Sequence, residues 1–358
     1  MIAHIIFRDK FTNGYIEFME KECGEYEHYF FTKVGQNKIN KTLHSELIEI
    51  RTFEELLYDP KNYFILRKAE KIIFSGLFSL TAKLISQLLI NGLISKTYFQ
   101  FWGGDFYCYR NNAEKIAEKI RRIIFFYAFK KSAGLIFLID GEYDRFSNIT
   151  GISNRHFVAP MPESLMMKFD YVKYMSISKH TDEINILIGN SATESNHHIE
   201  TFKMLEHLKD CNIRIFCPLS YGDELYRDEV VKCGRRMFGS KFVPVLNFME
   251  KEKYFIFLSE MDIGIFYNDR QQAIANIGCL LMMGKKIFMR TGTSMWDIYL
   301  HRGYHIYSAE SIQELTFQKF VNISEDERKH NIAIKDINNN TQLAKVAWDN
   351  VFLHKLTK

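Results

Sequence analysis

The stretch ILIGNSATESNHHIETFKML, residues 186–205, changes from a strand pattern to a helix pattern across a polar turn. Its start is continuously apolar, which is typical of a strand buried on both faces, and its end repeats apolar residues at helical spacing. Gly189 permits a tight turn between them. Asn190, Ser191 and Ser195 then place short polar side chains beside the free N–H groups of the helix start. Because those N–H groups and the helix dipole attract negative charge, the stretch predicts a site for a phosphate group.

The alternative interpretation of the same residues is an ordinary helix start. In that case Ser195 only caps the helix, and His198 lies on the helix surface. The stretch alone does not decide between an anion site and a cap, so the rest of the chain has to be considered.

The alternation of short apolar runs with helical patterns extends over the whole chain. The predicted strands are IAHIIF, KIIFSGL, TYFQFWG and GLIFLID in the first half, and INILIGN, IRIFCPL, KFVPVLN, DIGIFY, KKIFMR and YHIYS in the second. This rhythm is typical of an α/β fold with parallel sheets, and 358 residues exceed the usual single hydrophobic core. We therefore predict two Rossmann-like domains whose parallel sheets face each other across a cleft, with ligands at the C-terminal ends of the strands.

A break in this rhythm marks the predicted domain boundary. Residues 159–183 are mixed in polarity and contain two of the five prolines. We predict an N-terminal domain at residues 1–161, a linker at 162–182 and a C-terminal domain at 183–338. Residues 339–358 are predicted to form a helix that packs back across the domains.

Composition argues against several classes of protein. The apolar fraction is 47%, with 31 Phe and 19 Tyr, which supports large buried cores. A formal net charge of +4 gives little support for nucleic-acid binding, and no nucleic-acid recognition motif appears. The six cysteines are dispersed without metal-ligand spacing, so we predict reduced, buried thiols and neither a metal nor another cofactor. No run approaches the ~18 apolar residues of a membrane span, so we expect a cytosolic chain that can lie on a membrane surface.

A second polar loop follows a predicted strand in the second half. Arg270, Gln271 and Gln272 precede an apolar helix. An arginine there can pair with phosphate oxygens, and the glutamines can reach sugar hydroxyls or phosphate without adding charge. The alternative is a polar loop that caps a core helix and leaves the arginine in solvent.

Two further loops of the second half offer weaker candidates. Tyr221 follows a strand and can stack on a nucleobase, although an ordinary turn would also place a tyrosine there. Glu250 and Tyr254 lie at the next helix start, where an acidic residue can accept hydrogen bonds from sugar hydroxyls. A first-turn carboxylate is also favourable without a ligand.

In the first half, the turn Trp102-Gly103-Gly104-Asp105 ends a strand. Asp105 would therefore lie at the edge where α/β domains keep their chemistry, and it can act as a general base if burial raises its pKa. An aspartate that only stabilises the turn is the alternative. A second group of carboxylates after a strand competes for the same role: Asp140, Glu142 and Asp144.

Residues 111–134 are locally basic and rich in aromatic residues. Cations and rings on one helix suit a membrane interface, because the cations meet anionic headgroups while the rings enter the acyl boundary. The residues predicted to contact the membrane or the acceptor are Arg121, Arg122, Phe125, Phe126 and Lys130. A core helix with lysines extended to solvent is the alternative.

Taken together, these motifs resemble a known family. The run ILIGNSATESNHHIE resembles the G-N-S-x-x-x-S-N-x-H motif of bacterial transferases of the 4-acetamido-4,6-dideoxygalactose (Fuc4NAc) lipid II type, glycosyltransferase family 56. The other matching positions are Trp102, Gly103, Asp105, Pro218, Tyr221, Glu250, Tyr254, Arg270, Gln271, Gln272, Gly278, Leu280 and Trp296. The resemblance spans about residues 99–307 in the correct order. It departs at Ala273, where the family has glycine, and little before Lys96 can be matched.

The resemblance implies a GT-B fold and an enzyme of surface-polysaccharide assembly, such as that of enterobacterial common antigen or O-antigen. It implies a dTDP-sugar donor on the C-terminal domain and a polyprenyl-diphosphate-linked saccharide acceptor at the cytoplasmic face of the inner membrane. The residues it assigns to the nucleotide sugar are Gly189, Asn190, Ser191, Ser195, Asn196, His198, Tyr221, Glu250, Tyr254, Arg270, Gln271 and Gln272.

The expected reaction is glycosyl transfer, with helix N-termini and Arg270 stabilising the diphosphate leaving group. No DxD-type pair follows a strand, so we predict that the transfer is independent of metal. Asp105 is the expected base if the reaction inverts, and it orients the acceptor if the reaction retains. A sugar-nucleotide epimerase of the same fold and a non-catalytic scaffold of polysaccharide assembly are the alternative functions.

Overall fold

The computed structural model describes residues 1–9, 11–35, 39–40, 42, 44–78, 80–110, 115–161, 170–175, 177, 182–338 and 341–354. It divides into two compact units, Met1–Met167 with Asn340–Lys358, and Lys168–Asn339. We call them unit 1 and unit 2. Much of the predicted linker at 162–182 lies outside the described residues, as do both ends of the predicted C-terminal helix segment at 339–358.

The strands of the described chain are short, and most of them match the apolar runs of the sequence. They are β1 Ile2–Ile6, β2 His28–Lys33, β3 Glu46–Ile50, β4 Lys71–Ser75, β5 Thr97–Phe101, β6 Gly134–Phe137, β7 His156–Val158, β8 Ile184–Ile188, β9 Ile213–Pro218, β10 Phe242–Val245, β11 Ile263–Phe266, β12 Lys286–Met289 and β13 Tyr307–Ser308. Every predicted strand is confirmed, and three strands of unit 1 were not predicted: β2, β3 and β7.

Helices follow most of these strands. Those of the described chain are α1 Thr12–Glu22, α2 Glu55–Tyr58, α3 Pro60–Lys68, α4 Ala82–Ile90, α5 Gly104–Tyr107, α6 Ile116–Lys131, α7 Glu142–Thr150, α8 Tyr171–Met175, α9 His198–Leu205, α10 Glu224–Phe238, α11 Lys251–Ser259, α12 Ile274–Met282, α13 Ser294–His301, α14 Phe317–Val321, α15 Glu325–Asn338 and α16 Thr341–Leu353. Short 3₁₀ turns occur at Ile94–Lys96, Glu194–Asn196, Glu206–Leu208, Gly239–Lys241 and Glu310–Glu314.

Each unit is built on one parallel sheet. The order in unit 1 is β3-β2-β1-β4-β5-β6-β7, and the order in unit 2 is β10-β9-β8-β11-β12-β13. Every residue of β1, β4 and β5 is buried, as expected for strands that are covered by helices on both faces. Both orders reverse direction in the middle of the sheet, between β1 and β4 and between β8 and β11. Ligands of doubly wound folds bind outside the carboxyl ends of the strands at such a switch point.

The six cysteines are all free thiols. Four of them are buried as predicted: Cys23, Cys217, Cys233 and Cys279. Cys211 is only partly buried, and Cys108 is exposed because it follows the short helix α5 at the surface of unit 1. The prediction of buried thiols is therefore wrong for Cys108.

The last described helix, α16, is part of the core of unit 1. Its Trp348 is fully buried, and the indole Nε1–H donates to the carbonyl of Pro160 at 3.2 Å. Beyond the helix end, the carbonyl of His354 accepts a hydrogen bond from Lys71, and its ring bonds the hydroxyl of Tyr98 at 2.7 Å. The last described residues thus contact strands β4 and β5 of the unit 1 sheet.

A buried chain of hydrogen bonds lies in the same core. The Nε2 of His28 is 2.9 Å from the carbonyl of Cys23, His4 Nε2 is 2.9 Å from His28 Nδ1, and the Tyr15 hydroxyl is 2.9 Å from His4 Nδ1. A carbonyl only accepts, so His28 donates through Nε2 and accepts from His4, which in turn accepts from Tyr15. This order of donors requires both rings to be neutral. Burial lowers the pKa of His4 far below its ordinary value, with a further contribution from His28, and burial also lowers the pKa of His28.

This arrangement predicts that acid destabilises the protein. Below about pH 6.5 the histidines of the unfolded chain bind protons while the two buried rings do not, so the free energy of unfolding falls as the pH falls. Each ring contributes a slope of up to about 1.4 kcal/mol per pH unit between its unfolded and folded pKa. Urea titrations between pH 7.5 and 5.0 measure the slope. It should decrease by about that amount in His28→Gln and stay unchanged in His301→Gln, whose ring is on the surface; equal slopes in both variants would contradict the assignment.

Candidate functional site

The candidate site lies at the switch point of unit 2. β8 and β11 are neighbours, with Ile188 opposite Ile265, and the Gly189 N–H donates to the Ile265 carbonyl at 3.1 Å. The loops that follow these strands therefore begin side by side. We call residues 189–197 the first loop and residues 267–273 the second loop. They contain most of the polar residues that the sequence singled out.

Gly189 is required by the conformation of the first loop. Its φ is +65°, in the left-handed region that favours glycine. A Cβ atom at this position would lie 2.8 Å from both Asn196 Oδ1 and His198 Nε2. The backbone at Gly189 therefore lies too close to these two side chains to leave room for a Cβ atom, and an alanine would have to displace them.

The side chain of Asn196 holds the first loop in shape. It is fully buried, and its Nδ2 donates to the carbonyl of Ser191 at 2.9 Å and to Thr193 Oγ1 at 2.7 Å. Its Oδ1 accepts from the N–H of Asn190 at 3.2 Å and from Asn268 Nδ2 at 3.4 Å. Since Asn268 belongs to the second loop, this one amide connects both loops.

Gln272 and Arg270 strengthen that connection from the second loop. Gln272 Nε2 donates to Asn190 Oδ1 at 2.9 Å and to Ser191 Oγ at 3.2 Å. The Ser195 hydroxyl donates to Gln272 Oε1 at 2.7 Å and accepts from Arg270 Nε at 3.2 Å. The second loop thus brings a guanidinium to the polar turn of the first loop, and neutral amides hold the surrounding hydroxyls.

The helix after the first loop begins later than the alternative interpretation required. It starts at His198, and its N-cap residue is His197, at φ +49° without a side-chain cap. Ser195 is therefore not the cap, because its hydroxyl is used in bonds to the second loop. The imidazole of His197 lies 3.5 Å from a carboxylate oxygen of Asp269, which together with Glu200 raises the pKa of His197.

His198 lies in the core beneath the turn rather than on the helix surface. The Tyr226 hydroxyl accepts from the His198 backbone N–H and lies 3.2 Å from His198 Nδ1, to which it can donate. The proton of the neutral ring is then on Nε2, the atom that lies beside Gly189. Burial lowers the pKa of His198 to about 3, so the ring is neutral at physiological pH. Its Nε2 has no hydrogen-bond partner among the described residues, and neither does Asn268 Oδ1.

A third loop, after β9, adjoins the first. An isolated bridge joins Ala192 to Gly222, and the Asn190 amide donates to the Tyr221 hydroxyl at 3.1 Å. Burial raises the pKa of Tyr221, while the bond from Asn190 and the charge of Arg270 oppose that shift. The Tyr221 ring is half exposed at this edge, where it can stack on a planar ligand.

The remaining predicted residues differ in their relation to the two loops. The Tyr254 hydroxyl accepts from Asn276 Nδ2 at 2.8 Å. Burial raises the pKa of Tyr254, and the neighbouring Tyr221 hydroxyl contributes to the same shift. Gln271 is buried, and its carbonyl accepts from Arg270 Nη1 at 3.3 Å. Glu250 precedes α11 as an exposed residue, and no described contact connects its carboxylate to the loops. Ten of the twelve predicted residues therefore belong to the hydrogen-bonded loops or lie in the core under them, Tyr254 lies beside Tyr221, and Glu250 lies apart.

Sequence reasoning missed Arg290. It directly follows β12, and its guanidinium lies over the Tyr267 ring, 4.8 Å from the ring centroid. Its Nη1 is buried and has no hydrogen-bond partner among the described residues. The signal was visible in the sequence, because Arg290 ends a predicted strand and is followed by the polar turn Thr291-Gly292-Thr293-Ser294.

In unit 1, Asp105 fastens two loops at the carboxyl edge of the sheet. Its carboxylate accepts from the Trp102 N–H at 3.0 Å and from the Leu77 N–H at 3.2 Å. Burial raises the pKa of Asp105 to about 6, and these backbone bonds oppose the shift. The Trp102 indole in turn donates to Ser75 Oγ at 3.1 Å. Asp105 therefore stabilises the turn, and its pKa lies closer to neutral pH than that of an ordinary aspartate.

Glu142 is the member of the competing carboxylate group that lies near Asp105. It is fully buried and accepts from the Tyr107 hydroxyl at 2.9 Å. Its charge contributes to the raised pKa of Asp105. Asp140, by contrast, is exposed at the surface of unit 1.

The structure corrects the predicted membrane face of α6. Phe125 is buried in the core of unit 1, and the partly buried Phe126 packs against the Tyr109 ring at 5.1 Å between centroids. Arg122 pairs with Glu118 at 3.1 Å and donates to backbone carbonyls. Arg121 and Lys130 are exposed. Phe125 is therefore removed from a membrane face, because the helix turns this position toward the sheet.

The described residues lack two features, a cluster of metal-binding side chains and a membrane-spanning helix. No three His, Cys, Asp or Glu side chains in that part of the chain are grouped so that they could hold a metal ion. No helix there has both the length and the apolar character to cross a membrane.

Solved structures share this fold at low sequence identity. A UDP-forming alpha,alpha-trehalose-phosphate synthase from Burkholderia xenovorans matches with a TM-score of 0.70 and 9% identity, over 100% of this chain and 99% of that chain. A structure described as trehalose-6-phosphate from E. coli bound with UDP-2-fluoro glucose matches at 0.67 and 11%, over 99% and 100%. Sucrose-phosphate synthase from Thermosynechococcus elongatus matches at 0.67 and 9%, over 98% of both chains.

The expected fold and family are confirmed by these comparisons. The two parallel sheets and the solved structures identify the fold as GT-B. The family model described as 4-alpha-L-fucosyltransferase, glycosyl transferase group 56, matches residues 18–341. The chain therefore belongs to the glycosyl transferase group 56 family and is a glycosyltransferase.

Proposed function

We propose that this glycosyltransferase moves a 4-acetamido-4,6-dideoxyhexose, Fuc4NAc or a close relative, from a dTDP-sugar to a polyprenyl-diphosphate-linked saccharide. The reaction would take place at the cytoplasmic face of the bacterial inner membrane, in the synthesis of enterobacterial common antigen or O-antigen. The observation that supports it most is the pair of interlocked loops at the switch point of unit 2. There Arg270 and the buried His198 adjoin a turn that requires Gly189.

The diphosphate of the donor would bind at the first loop. The turn at Gly189 places His198 Nε2 beside the backbone of this loop, and its N–H would donate one hydrogen bond to a phosphate without adding charge. Arg270 would supply the positive charge that the leaving diphosphate needs. The structure described with UDP-2-fluoro glucose is that of a protein with the same fold, which agrees with a nucleotide diphosphate sugar as the donor.

The sugar and the base would contact the neighbouring side chains. The half-exposed ring of Tyr221 would stack on the base. The Asn190 amide donates to the Tyr221 hydroxyl, and the Gln272 amide donates to Asn190. These groups are neutral and can bond sugar hydroxyls or the acetamido group. Their hydrogen bonds to each other hold them in place before a ligand arrives, which reduces the entropy lost on binding.

The acceptor hydroxyl would be activated in unit 1. A base has to be ionised to accept a proton, and it is most effective when its pKa lies near the working pH. Asp105, with a pKa raised to about 6, meets both conditions. We therefore retain Asp105 as the proposed base of an inverting transfer.

We first expect selective binding of the thymidine nucleotide. In a thermal-shift titration without added metal, dTDP should raise the Tm more than UDP or GDP at equal concentration, because binding to the folded state stabilises it. A protein stabilised by none of the three would contradict the proposed nucleotide site, and stronger stabilisation by UDP or GDP would contradict the thymidine donor.

Arg270→Ala should weaken dTDP binding by about 1.5 to 3 kcal/mol, the range of a hydrogen bond to a charged group. Arg270→Lys keeps the charge but loses the planar guanidinium, so its affinity for dTDP should lie between that of the wild type and that of Arg270→Ala. Titration calorimetry measures all three proteins, with Arg235→Ala on the surface of α10 as the control for loss of a cation. Wild-type affinity in a folded Arg270→Ala protein would remove Arg270 from the site.

Asp105 predicts the pH dependence of the transfer. The rate constant kcat/KM should fall as the pH decreases through about 6, because protonation removes the base. Asp105→Asn should lose this acid limb and most of the turnover while retaining dTDP affinity. Glu142→Gln should keep the limb and move it to lower pH, since the Glu142 charge raises the pKa of Asp105.

Melting temperatures of the Asp105 and Glu142 variants provide the control for these profiles. Asp105 accepts backbone N–H groups, so its amide variant also loses some stability. If Asp105→Asn keeps the acid limb, or if turnover and dTDP affinity fall together, Asp105 is a structural residue and not the base.

A further inference from the structure

An exposed apolar row runs along α6, the helix whose predicted membrane face was corrected above. Ile116, Ile120, Ile123 and Tyr127 are 75%, 52%, 69% and 53% exposed. They follow one another at intervals of four, three and four residues, which places them on one face of the helix. We call them the α6 row. Single exposed apolar residues are common on protein surfaces, but four on one helical face form a continuous patch.

The opposite face of α6 fixes the direction of this row. Phe125, Ala128 and Phe129 are buried in the core of unit 1. Phe129 packs edge to face against Phe99 and Phe101 of the sheet, with centroids 5.0 and 5.4 Å apart. The helix therefore cannot rotate to cover the row without exposing three core residues, so the row remains at the surface.

Lysines border the α6 row on both sides. Lys119, Lys130 and Lys131 are exposed, and each is within four residues of a member of the row. The ammonium of Lys131 lies 5.9 Å from the centroid of the Tyr127 ring. Within Ile116–Lys131 the single carboxylate is Glu118, which pairs with Arg122 on another face. The surface is thus apolar along its centre and positively charged at its edges.

We infer that the α6 row is a membrane-contact surface for anionic lipid. A helix with an apolar face bordered by lysines lies in the plane of the membrane interface, with its apolar side chains at the acyl boundary and its cations among the headgroups. Tyr127 suits the same depth, because its ring is apolar and its hydroxyl is polar. The inference deepens the proposed function and rests on it for one point, namely that the acceptor is itself a membrane lipid.

The charges favour lipid over a second copy of this chain. If two α6 rows packed against each other about a two-fold axis, their lysine borders would meet. Like charges that face each other destabilise a helix pair, whereas anionic headgroups would neutralise them. A lipid surface is therefore the occupant that fits both parts of this face.

Vesicle co-sedimentation of the full-length protein tests the inference. Binding to phosphatidylcholine vesicles that contain phosphatidylglycerol should exceed binding to pure phosphatidylcholine and should weaken with added salt. Ile120→Ser with Ile123→Ser should reduce the partition coefficient by about tenfold or more, since two buried apolar side chains are lost. Lys119→Gln with Lys130→Gln should reduce it by about fivefold for each charge, and only on the anionic vesicles.

The control is a matched pair on another exposed apolar face of the same unit. Leu343→Ser with Val346→Ser on α16 should leave sedimentation unchanged. Wild-type binding by the Ile120/Ile123 variant would overturn the inference, as would a wild-type dimer that this variant dissociates in the absence of vesicles. A dTDP titration of the same preparations separates the two proposals: vesicle binding without dTDP binding would refute the nucleotide site alone, and dTDP binding without vesicle binding would refute the membrane surface alone.

Discussion

The candidate nucleotide site depends on one buried amide, the side chain of Asn196. Its Nδ2 bonds the backbone and a hydroxyl of its own loop, and its Oδ1 accepts from the Asn190 N–H and from Asn268 of the neighbouring loop. Removing a buried partner leaves several groups unsatisfied at about 1 to 3 kcal/mol each, so this residue strongly determines the conformation of the turn. The Asn196 amide also explains why position 189 is a glycine, because the amide oxygen lies only 2.8 Å from where a Cβ atom would be.

Strand order explains why that amide can reach both loops. In a sheet ordered β10-β9-β8-β11-β12-β13, the chain moves outward in one direction from β8 and returns to its other side at β11. Two loops distant in sequence then begin at adjacent strand ends, and Gln272 and Arg270 can bond Ser195 across some 75 residues. Sequence reasoning anticipated both loops, because a buried parallel strand has a continuous apolar pattern and its polar end is conspicuous. It missed β2, β3 and β7, and of these β3 and β7 are edge strands whose partly exposed residues interrupt that pattern.

The error at Phe125 has a similar origin, and so does the alternative interpretation that placed His198 on the helix surface. Both residues occupy helical positions that are ambiguous from spacing alone, since a helix can present either face to the sheet. The phase is decided by contacts distant in sequence, such as Tyr226 against His198 and Phe99 against Phe129. The same effect revealed the α6 row, because burying the phenylalanines turns the isoleucines outward. The sequence therefore predicted a basic, aromatic helix, but it did not predict which face of that helix is exposed.

Backbone strain in the described chain is concentrated at the same two loops. Among its residues other than glycine, positive φ occurs at His197 and at Ala273, and each is the N-cap of the helix that follows one loop. A left-handed conformation costs about 1 to 2 kcal/mol for such residues, and the family motif has glycine at the position of Ala273. The buried Nε2 of His198 and Oδ1 of Asn268, which have no hydrogen-bond partner in the described part of the chain, add the cost of unpaired polar atoms. Strain and unpaired polar atoms of this kind persist where the surrounding structure imposes them, and they are most often found at binding sites. A bound diphosphate that accepted a hydrogen bond from His198 Nε2–H would offset part of that cost, so the features that destabilise the loops in isolation favour the ligand.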